Sequence, residues 1–143
     1  MSTIFTKIID GELPGRFIWQ DDRCVAFLDI SPLSYGHTLV VPREEIDMWT
    51  DAPEELNAHI YTVASRIGAA QVKALGVARA GLIIQGYEIP HLHLHVFPTN
   101  SKADFDLSNL IENPEDEKMA SAATKIRAAL RDAGHAEFVP NEN

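Results

Sequence analysis

His91-Leu-His-Leu-His-Val-Phe97 is the stretch that decides the fold, because three of the chain's six histidines lie there at every second position. Strict alternation with apolar residues is typical of a half-buried β-strand, whose successive side chains point to opposite faces of a sheet. We therefore expect the three histidines to line one face of a sheet. The leucines and the valine between them should anchor the other face in the core.

The flanking sequence predicts four more strands and three helices. Short β-prone runs bounded by turn-forming residues lie at 16–20, 23–28, 37–41 and 81–85. Apolar stripes at helical spacing predict a helix over 4–10, a long helix that begins near Asp51-Ala-Pro-Glu54 and ends at Gly76, and a third that opens at Asn113-Pro114 and ends at Gly134. Residues 99–112 read as a loop. Most connections are short, so the sheet should be largely antiparallel, in an α+β domain with at least one open edge for a second copy.

The composition excludes several classes of protein. A chain of 143 residues suits one domain with a substantial core. The net charge of −9 argues against binding to nucleic acid or to an anionic membrane surface. No run approaches the roughly 18 apolar residues that span a membrane. Cys24 is the chain's single cysteine, which excludes an internal disulfide and a cysteine-based zinc site. With no secretory pattern at the N-terminus, we expect a cytoplasmic protein.

The histidine stretch allows three interpretations. The first is a metal site, in which two of the imidazoles converge on a zinc ion with a further ligand such as His37 or a carboxylate. The second is structural, with each histidine satisfied by its own hydrogen bonds. The third is nucleophilic catalysis, in which one imidazole attacks while its neighbours fix its tautomer and position the substrate.

The heptapeptide matches His-φ-His-φ-His-φ-φ, the motif that defines the histidine triad (HIT) superfamily. Segments that resemble the Hint branch of that superfamily occur in the same order and at the same spacing, at 4–9, 21–27, 29–32 and 36–42. The resemblance implies a single HIT domain over residues 1–143, with its core at 4–98 and a C-terminal loop and helix at 99–134. It also implies a five-stranded, mainly antiparallel sheet with packed helices, continued across a homodimer.

The resemblance also implies a chemistry, which is cleavage of a bond at the α-phosphorus of a bound nucleotide. The middle histidine of the triad, His93, would be the nucleophile and would form a covalent nucleotidyl-histidine. His95 would contact the phosphate and assist the leaving group, while His91 and His37 would orient the pocket. Attack requires a neutral imidazole, so we expect the other ring nitrogen of His93 to donate to a main-chain carbonyl.

The nucleotide-binding residues are implied by the same resemblance. Apolar side chains would hold the base, Asp29 would accept hydrogen bonds from the ribose hydroxyls with Ile30 beside it, and Gln85 would lie near the phosphate. The apolar positions are Ile4, Phe5, Ile8 and Phe27. Taken without the resemblance, plain core packing is the favoured interpretation of these four residues, and Asp29 could instead be only a turn residue before Pro32.

The chain departs from the family pattern between Gln85 and the triad. Many relatives carry a longer glycine-rich loop there, with phosphate-binding Gln and hydroxyl groups, where this chain has only Gly86-Tyr-Glu-Ile-Pro90. The N-terminal cysteines of zinc-binding relatives are absent too, so we expect neither a metal nor another cofactor. The favoured substrate is a purine nucleoside 5′-phosphoramidate or a related conjugate. The alternatives are hydrolysis of dinucleoside polyphosphates and nucleotide binding with weak catalysis.

Overall fold

The histidine stretch leads into an inner strand of a five-stranded sheet. In the computed structural model, which describes residues 2–141, the strands are β1 (Phe17–Gln20), β2 (Cys24–Leu28), β3 (Thr38–Pro42), β4 (Arg79–Ile83) and β5 (Leu94–Thr99). Their order across the sheet is β1-β2-β3-β5-β4, and all neighbours are antiparallel. The α-helices of the described chain are α1 (Ile4–Ile9), α2 (Glu54–Leu75) and α3 (Asp116–Leu130). The predicted α+β class and antiparallel sheet are confirmed.

The two faces of the sheet bury different sets of side chains. One face packs against α2 and α3, and its core includes Ala26, Val40, Leu94 and Val96. The opposite face carries a smaller cluster in which α1 contributes, with the members Phe5, Val25, Phe27, Leu39 and Val41. Period-two alternation in β2, β3 and β5 feeds both clusters, which explains why these strands are almost continuously apolar. Leu92, Leu94 and Val96 belong to the main core, so the three histidines that alternate with them belong to the α1 face.

The histidine strand is shorter at its start than the alternation predicts. β5 begins at Leu94, which pairs with Val40 of β3. Continuation of that register would set Leu92 opposite Pro42, which has no N–H to donate. The Leu92 N–H is instead bonded to the carbonyl of Ile46, 2.6 Å away in the loop after β3. Leu92 still lies in the main core, so the predicted alternation of faces holds through the whole heptapeptide.

The helix ends differ in detail from the sequence-based expectation. α2 ends as predicted at Gly76, whose positive φ of 66° is the conformation that glycine adopts most readily. It begins at Glu54 after Pro53, with no side-chain cap, because Asp51 belongs to a preceding 3₁₀ turn. α3 begins at Asp116 rather than at Asn113, whose backbone has a positive φ of 50°. No α-helix within residues 2–141 is long and apolar enough to cross a membrane.

Candidate active site

A cavity of about 490 Å³ opens on the α1 face of the sheet and contains most of the predicted site. Three of the four predicted catalytic histidines line it, namely His37, His93 and His95. All of the predicted nucleotide-binding residues line it as well, and these are Ile4, Phe5, Ile8, Phe27, Asp29, Ile30 and Gln85. His91 is fully buried and does not line the cavity. The structure therefore brings the predicted residues together, with His91 behind them.

His93 is held in one tautomer by the backbone. Its Nδ1 lies 2.7 Å from the carbonyl oxygen of His91, which can only accept, so Nδ1 carries the proton. The lone pair of the neutral ring is then on Nε2. Burial lowers the pKa of His93, which keeps the ring neutral. The ring also packs edge-on against Phe5 of α1, with the ring centres 4.8 Å apart.

His91 supports this arrangement from the interior. Its Nε2 lies 2.7 Å from the carbonyl oxygen of Pro42 and must donate to it. Its Nδ1 is then an acceptor, so the Thr3 hydroxyl, 2.7 Å away, donates to it. The Oγ1 of Thr3 also accepts from the Thr6 N–H and so caps α1. Thr3 thereby joins the start of α1 to the residue whose carbonyl orients His93.

His37 and His95 form a second chain of fixed tautomers. The Leu33 N–H donates to Nδ1 of His37 over 3.0 Å, so His37 carries its proton on Nε2. That Nε2–H donates to Nδ1 of His95, 3.0 Å away, and leaves His95 with its proton on Nε2. Burial, reinforced by the neighbouring histidines, lowers the pKa of His37 to about 3. Burial and His93 lower the pKa of His95 to about 4. Both rings are neutral at neutral pH.

Asp29 lies at the edge of the histidine cluster. Its Oδ1 accepts from the Ser31 N–H over 2.9 Å, and its Oδ2 lies 3.6 Å from Nε2 of His37. Burial raises the pKa of Asp29, and the nearby Glu88 carboxylate acts in the same direction. One carboxylate oxygen is thus tied to the backbone of the following turn. The other faces the cavity side, where a ribose hydroxyl could donate to it.

The short loop after Gln85 forms part of the cavity wall. Oε1 of Gln85 accepts from the Tyr87 N–H over 3.1 Å, which closes a tight turn around Gly86. Gly86 has a positive φ of 77°, the conformation that such a turn requires. Tyr87 and Glu88 both line the cavity, although the Tyr87 side chain is 94% exposed to solvent. The Gln85 oxygen therefore orders its own loop, and its amide group is the part that could donate to a phosphate.

Within residues 2–141, potential metal ligands come together in two separate groups. The first is Asp29, His37 and His95 in the cavity, and the second is Asp21, Cys24 and His59 near the β1–β2 turn. In the first group the facing nitrogens of the two histidines already share a proton. In the second, burial and the adjacent Asp21 raise the pKa of the Cys24 thiol, which opposes the thiolate that zinc requires. Neither donor set fits a resident metal.

Sequence reasoning missed several residues of the site. Thr3 could have been found as the residue before an apolar helix, the usual place of an N-cap. Leu33, Leu107 and Leu110 also line the cavity. No periodic signal marks these three, because they lie in irregular segments whose path depends on tertiary contacts. One such contact is the hydrogen bond from the Ile111 N–H to the carbonyl of Pro32, 2.9 Å long.

Known proteins resemble this chain in sequence and in fold. An uncharacterized HIT-like protein of Borreliella burgdorferi is 34% identical over 132 residues, which is 86% of this chain and 94% of that protein. Adenylylsulfatase HINT3 of Arabidopsis thaliana is 33% identical over 104 residues, 69% of this chain but only 53% of its own length. The crystal structure of a zinc-bound histidine triad family protein from Mycobacterium smegmatis superposes with a TM-score of 0.80 at 30% identity. That match covers 95% of this chain and 98% of the other.

The match to a family model agrees with these similarities. The model of the HIT domain matches residues 10–102, which include β1 to β5 and the whole triad. The predicted resemblance is confirmed, and the chain belongs to the HIT family.

Proposed function

We propose that the protein is a nucleotide-binding enzyme that acts at the α-phosphorus of purine nucleoside 5′-phosphoramidates or related nucleotide conjugates, through a covalent nucleotidyl group on His93. The HIT family consists of nucleotide hydrolases and transferases. The observation that carries the proposal is the hydrogen bond from His93 Nδ1 to the carbonyl of His91, which reserves the lone pair on Nε2 for attack. A neutral, oriented imidazole is the form that can act as a nucleophile.

The reaction would proceed in two displacements. Nε2 of His93 attacks the phosphorus and forms a P–N bond, while the bond from phosphorus to the leaving nitrogen breaks. The leaving nitrogen keeps both electrons of that bond and takes up a proton from solvent. Water then attacks the phosphorus and loses a proton to solvent, and the electrons of the P–Nε2 bond return to His93. One water is consumed, and an amine and a nucleoside monophosphate are released.

The remaining residues would bind the nucleotide and stabilise its developing charge. Nε2–H of His95 would donate to a phosphate oxygen, with its orientation maintained by His37. The base would lie against the apolar wall formed by α1 and β2, and Asp29 would accept from the ribose. Ile30 supports a nucleotide-binding role for this wall, because it lines the cavity and is 76% exposed, whereas a residue of the core would be covered.

The test is the intact mass of the protein after incubation with adenosine 5′-phosphoramidate and an acid-free quench, because a phosphorus–histidine bond is labile in acid. We expect an added adenylyl mass in the wild type and none in His93→Ala. His135→Ala is the matched control, since His135 lies outside the cavity with its ring against Trp19. Loss of the adduct in both variants, or its persistence in His93→Ala, would reject the mechanism.

A panel of substrates assayed with one protein preparation distinguishes phosphoramidate cleavage from two related activities. The Arabidopsis relative is named an adenylylsulfatase, so adenosine 5′-phosphosulfate belongs in the substrate panel beside a dinucleoside polyphosphate. Binding with weak catalysis is the remaining alternative, because Asp29 and Glu88 bring two carboxylates to a phosphate site. It predicts tight binding of AMP together with turnover near the uncatalysed rate.

We also propose that the protein is a single HIT domain that forms a homodimer through its open sheet edge. β4 is the last strand of the sheet. A groove of about 310 Å³ lies between this strand and α2, with Tyr61 and Leu82 on its surface. These side chains are 61% and 42% exposed, more than apolar residues of this size usually are.

The proposed location of the protein is the cytoplasm. Cys24 is free and buried, which suits the reducing conditions of that compartment.

A further inference from the structure

Gln71 is a fully buried polar residue of α2 that has no part in the reaction proposed above. Its Nε2 lies 2.9 Å from the carbonyl oxygen of Gly36 and 3.0 Å from the carbonyl oxygen of Val96. Carbonyl oxygens can only accept, so the amide nitrogen donates one of its two protons to each of them. Gln71 therefore connects the segment before β3 to β5 from the helical face of the sheet.

The two carbonyl groups that Gln71 binds belong to the neighbours of two site histidines. Gly36 directly precedes His37, and Val96 directly follows His95. The last residue pair of the ladder between β3 and β5 at this end includes Val96. The Gln71 amide thus joins the two chain segments where the ladder ends, which is also where Nε2 of His37 lies 3.0 Å from Nδ1 of His95.

The backbone at Gly36 allows α2 to approach closely. Gly36 has a positive φ of 105°, and a Cβ atom there would lie only 2.8 Å from Cδ1 of Leu75 on α2. The Thr38 hydroxyl donates to the Gly36 carbonyl over 2.8 Å, and it lies 3.4 Å from Nε2 of Gln71. Because the helix packs directly on this backbone, the Gln71 side chain is long enough to reach both carbonyl groups.

The Gln71 side chain also leaves one of its own polar atoms unpaired. Its Oε1 is buried and has no hydrogen-bond partner within residues 2–141. A buried polar atom without a partner costs stability, whereas an apolar side chain of similar volume would avoid that cost. What the glutamine supplies in return is its pair of N–H groups, and both of them act on the backbone beside His37 and His95.

We propose that Gln71 is a positioning residue for the reaction at His93. Its amide holds the segment before β3 at a fixed distance from β5, which keeps the Nε2–H of His37 directed at Nδ1 of His95. His95 then keeps its own proton on Nε2, the nitrogen that would donate to the phosphate. The proposal rests on the proposed function and adds to it a residue on the opposite face of the sheet from the cavity.

The kinetic test is Gln71→Met, which keeps the length of the side chain but donates no hydrogen bond. With adenosine 5′-phosphoramidate we expect kcat to fall about tenfold, because the donor to the phosphate is no longer held in one tautomer. KM should stay within about twofold, since the nucleoside would lie against α1 and β2. Ile67→Val is the matched control, because it removes a buried methyl group from the same helix and no hydrogen bond, so its kcat should not change.

A second measurement reads the histidine pair without turnover. The ¹⁵N chemical shifts of the imidazole rings at neutral pH distinguish a protonated ring nitrogen from an unprotonated one, and the signals of His95 are assigned by their loss in His95→Gln. In the wild type and in Ile67→Val we expect His95 to carry its proton on Nε2. In Gln71→Met we expect a mixture of the two tautomers.

The outcomes separate the role of Gln71 from the function on which it rests. A single His95 tautomer in Gln71→Met would overturn the positioning role, whatever happens to kcat, and would leave the proposed function intact. An equal fall in kcat for Ile67→Val would also overturn it, because loss of packing would then be sufficient. Absence of turnover in the wild type would overturn the proposed function, while the ring shifts still test the effect of Gln71 on His95. If Gln71→Met does not fold, Gln71→Leu takes its place in both measurements.

Discussion

At the scale of the residue, the backbone determines which nitrogen of each histidine carries the proton. The carbonyl of His91 orders His93, the Leu33 N–H orders His37, and His37 in turn orders His95. None of these three rings needs a charged partner to hold its tautomer. The cost is that neutral, buried imidazoles resist protonation, because burial disfavours the charged form.

The resistance of these buried imidazoles to protonation predicts how the stability of the protein depends on pH. An unfolded histidine takes up a proton near pH 6.5, but folded His37 and His95 do so only near about 3 and about 4. The unfolded state therefore binds more protons between these values, and the free energy of unfolding should fall as the pH drops from about 6.5 to about 4. At about pH 5 the unfolded state should bind nearly two more protons at these two residues than the folded state, and this difference sets the slope of the free energy of unfolding against pH.

Urea titrations at a series of pH values measure that slope. His37→Gln should reduce the proton uptake on unfolding by about one. Equal slopes for the wild type and His37→Gln would show that His37 is not held neutral in the folded protein.

At the scale of the element, one carboxylate joins the β1–β2 hairpin to α2. Oδ1 of Asp21 accepts from the N–H groups of Arg23 and Cys24, which closes the turn without a glycine. Its Oδ2 accepts from Nε1 of Trp19 and from Nε2 of His59 on α2, both over 2.7 Å. Burial alone would raise the pKa of Asp21, but these hydrogen bonds outweigh it and lower the pKa to about 2.

Asp21→Asn should destabilise the protein by about 2 kcal/mol at neutral pH, because an amide cannot accept from all of these donors. The folded pKa lies below the usual 3.8, so this contribution is present above pH 3.8 and is lost as the pH falls toward about 2. Thermal unfolding followed by circular dichroism measures the difference. The neighbouring Asp22→Asn, at an exposed position, is the control. A loss equal to that of the control would contradict the role of Asp21.

The same scale shows how far the sequence predicts the structure. Alternation in the histidine stretch, β-prone runs bounded by turn residues and helical apolar stripes identified every strand and α-helix of the described chain. Each of these signals is local in the sequence. The ends were less accurate. β5 starts at Leu94 because Pro42 interrupts the ladder on the neighbouring strand, and α3 starts at Asp116 although Asn113-Pro114 resembles a cap. Contacts made by irregular segments, such as Leu107 and Leu110 at the cavity, leave no local pattern at all.

At the scale of the whole molecule, the two edges of the sheet are treated differently. On the β1 edge, Arg127 of α3 donates through Nε to the carbonyl of Phe17 over 2.8 Å. On the β4 edge, Leu82 and Tyr61 present apolar surface beside a groove. Unprotected strand edges favour pairing with another strand, and proteins that remain monomeric usually block them with charge.

This difference predicts the oligomeric state and a variant that changes it. The wild type should sediment at twice the chain mass, and Leu82→Lys should shift it toward the monomer, because a lysine at the edge must be desolvated if the two copies pair. Met48→Lys adds the same charge at an exposed apolar residue that does not line the groove beside β4, so this variant should remain dimeric. The measurement is sedimentation velocity at several protein concentrations. A monomeric wild type would exclude the dimer, and a dimer that survives Leu82→Lys would mean that the two copies meet on another surface.

Because the cavity is lined by residues on the α1 face, binding of AMP to a monomeric Leu82→Lys variant would further show whether one chain holds the nucleotide by itself.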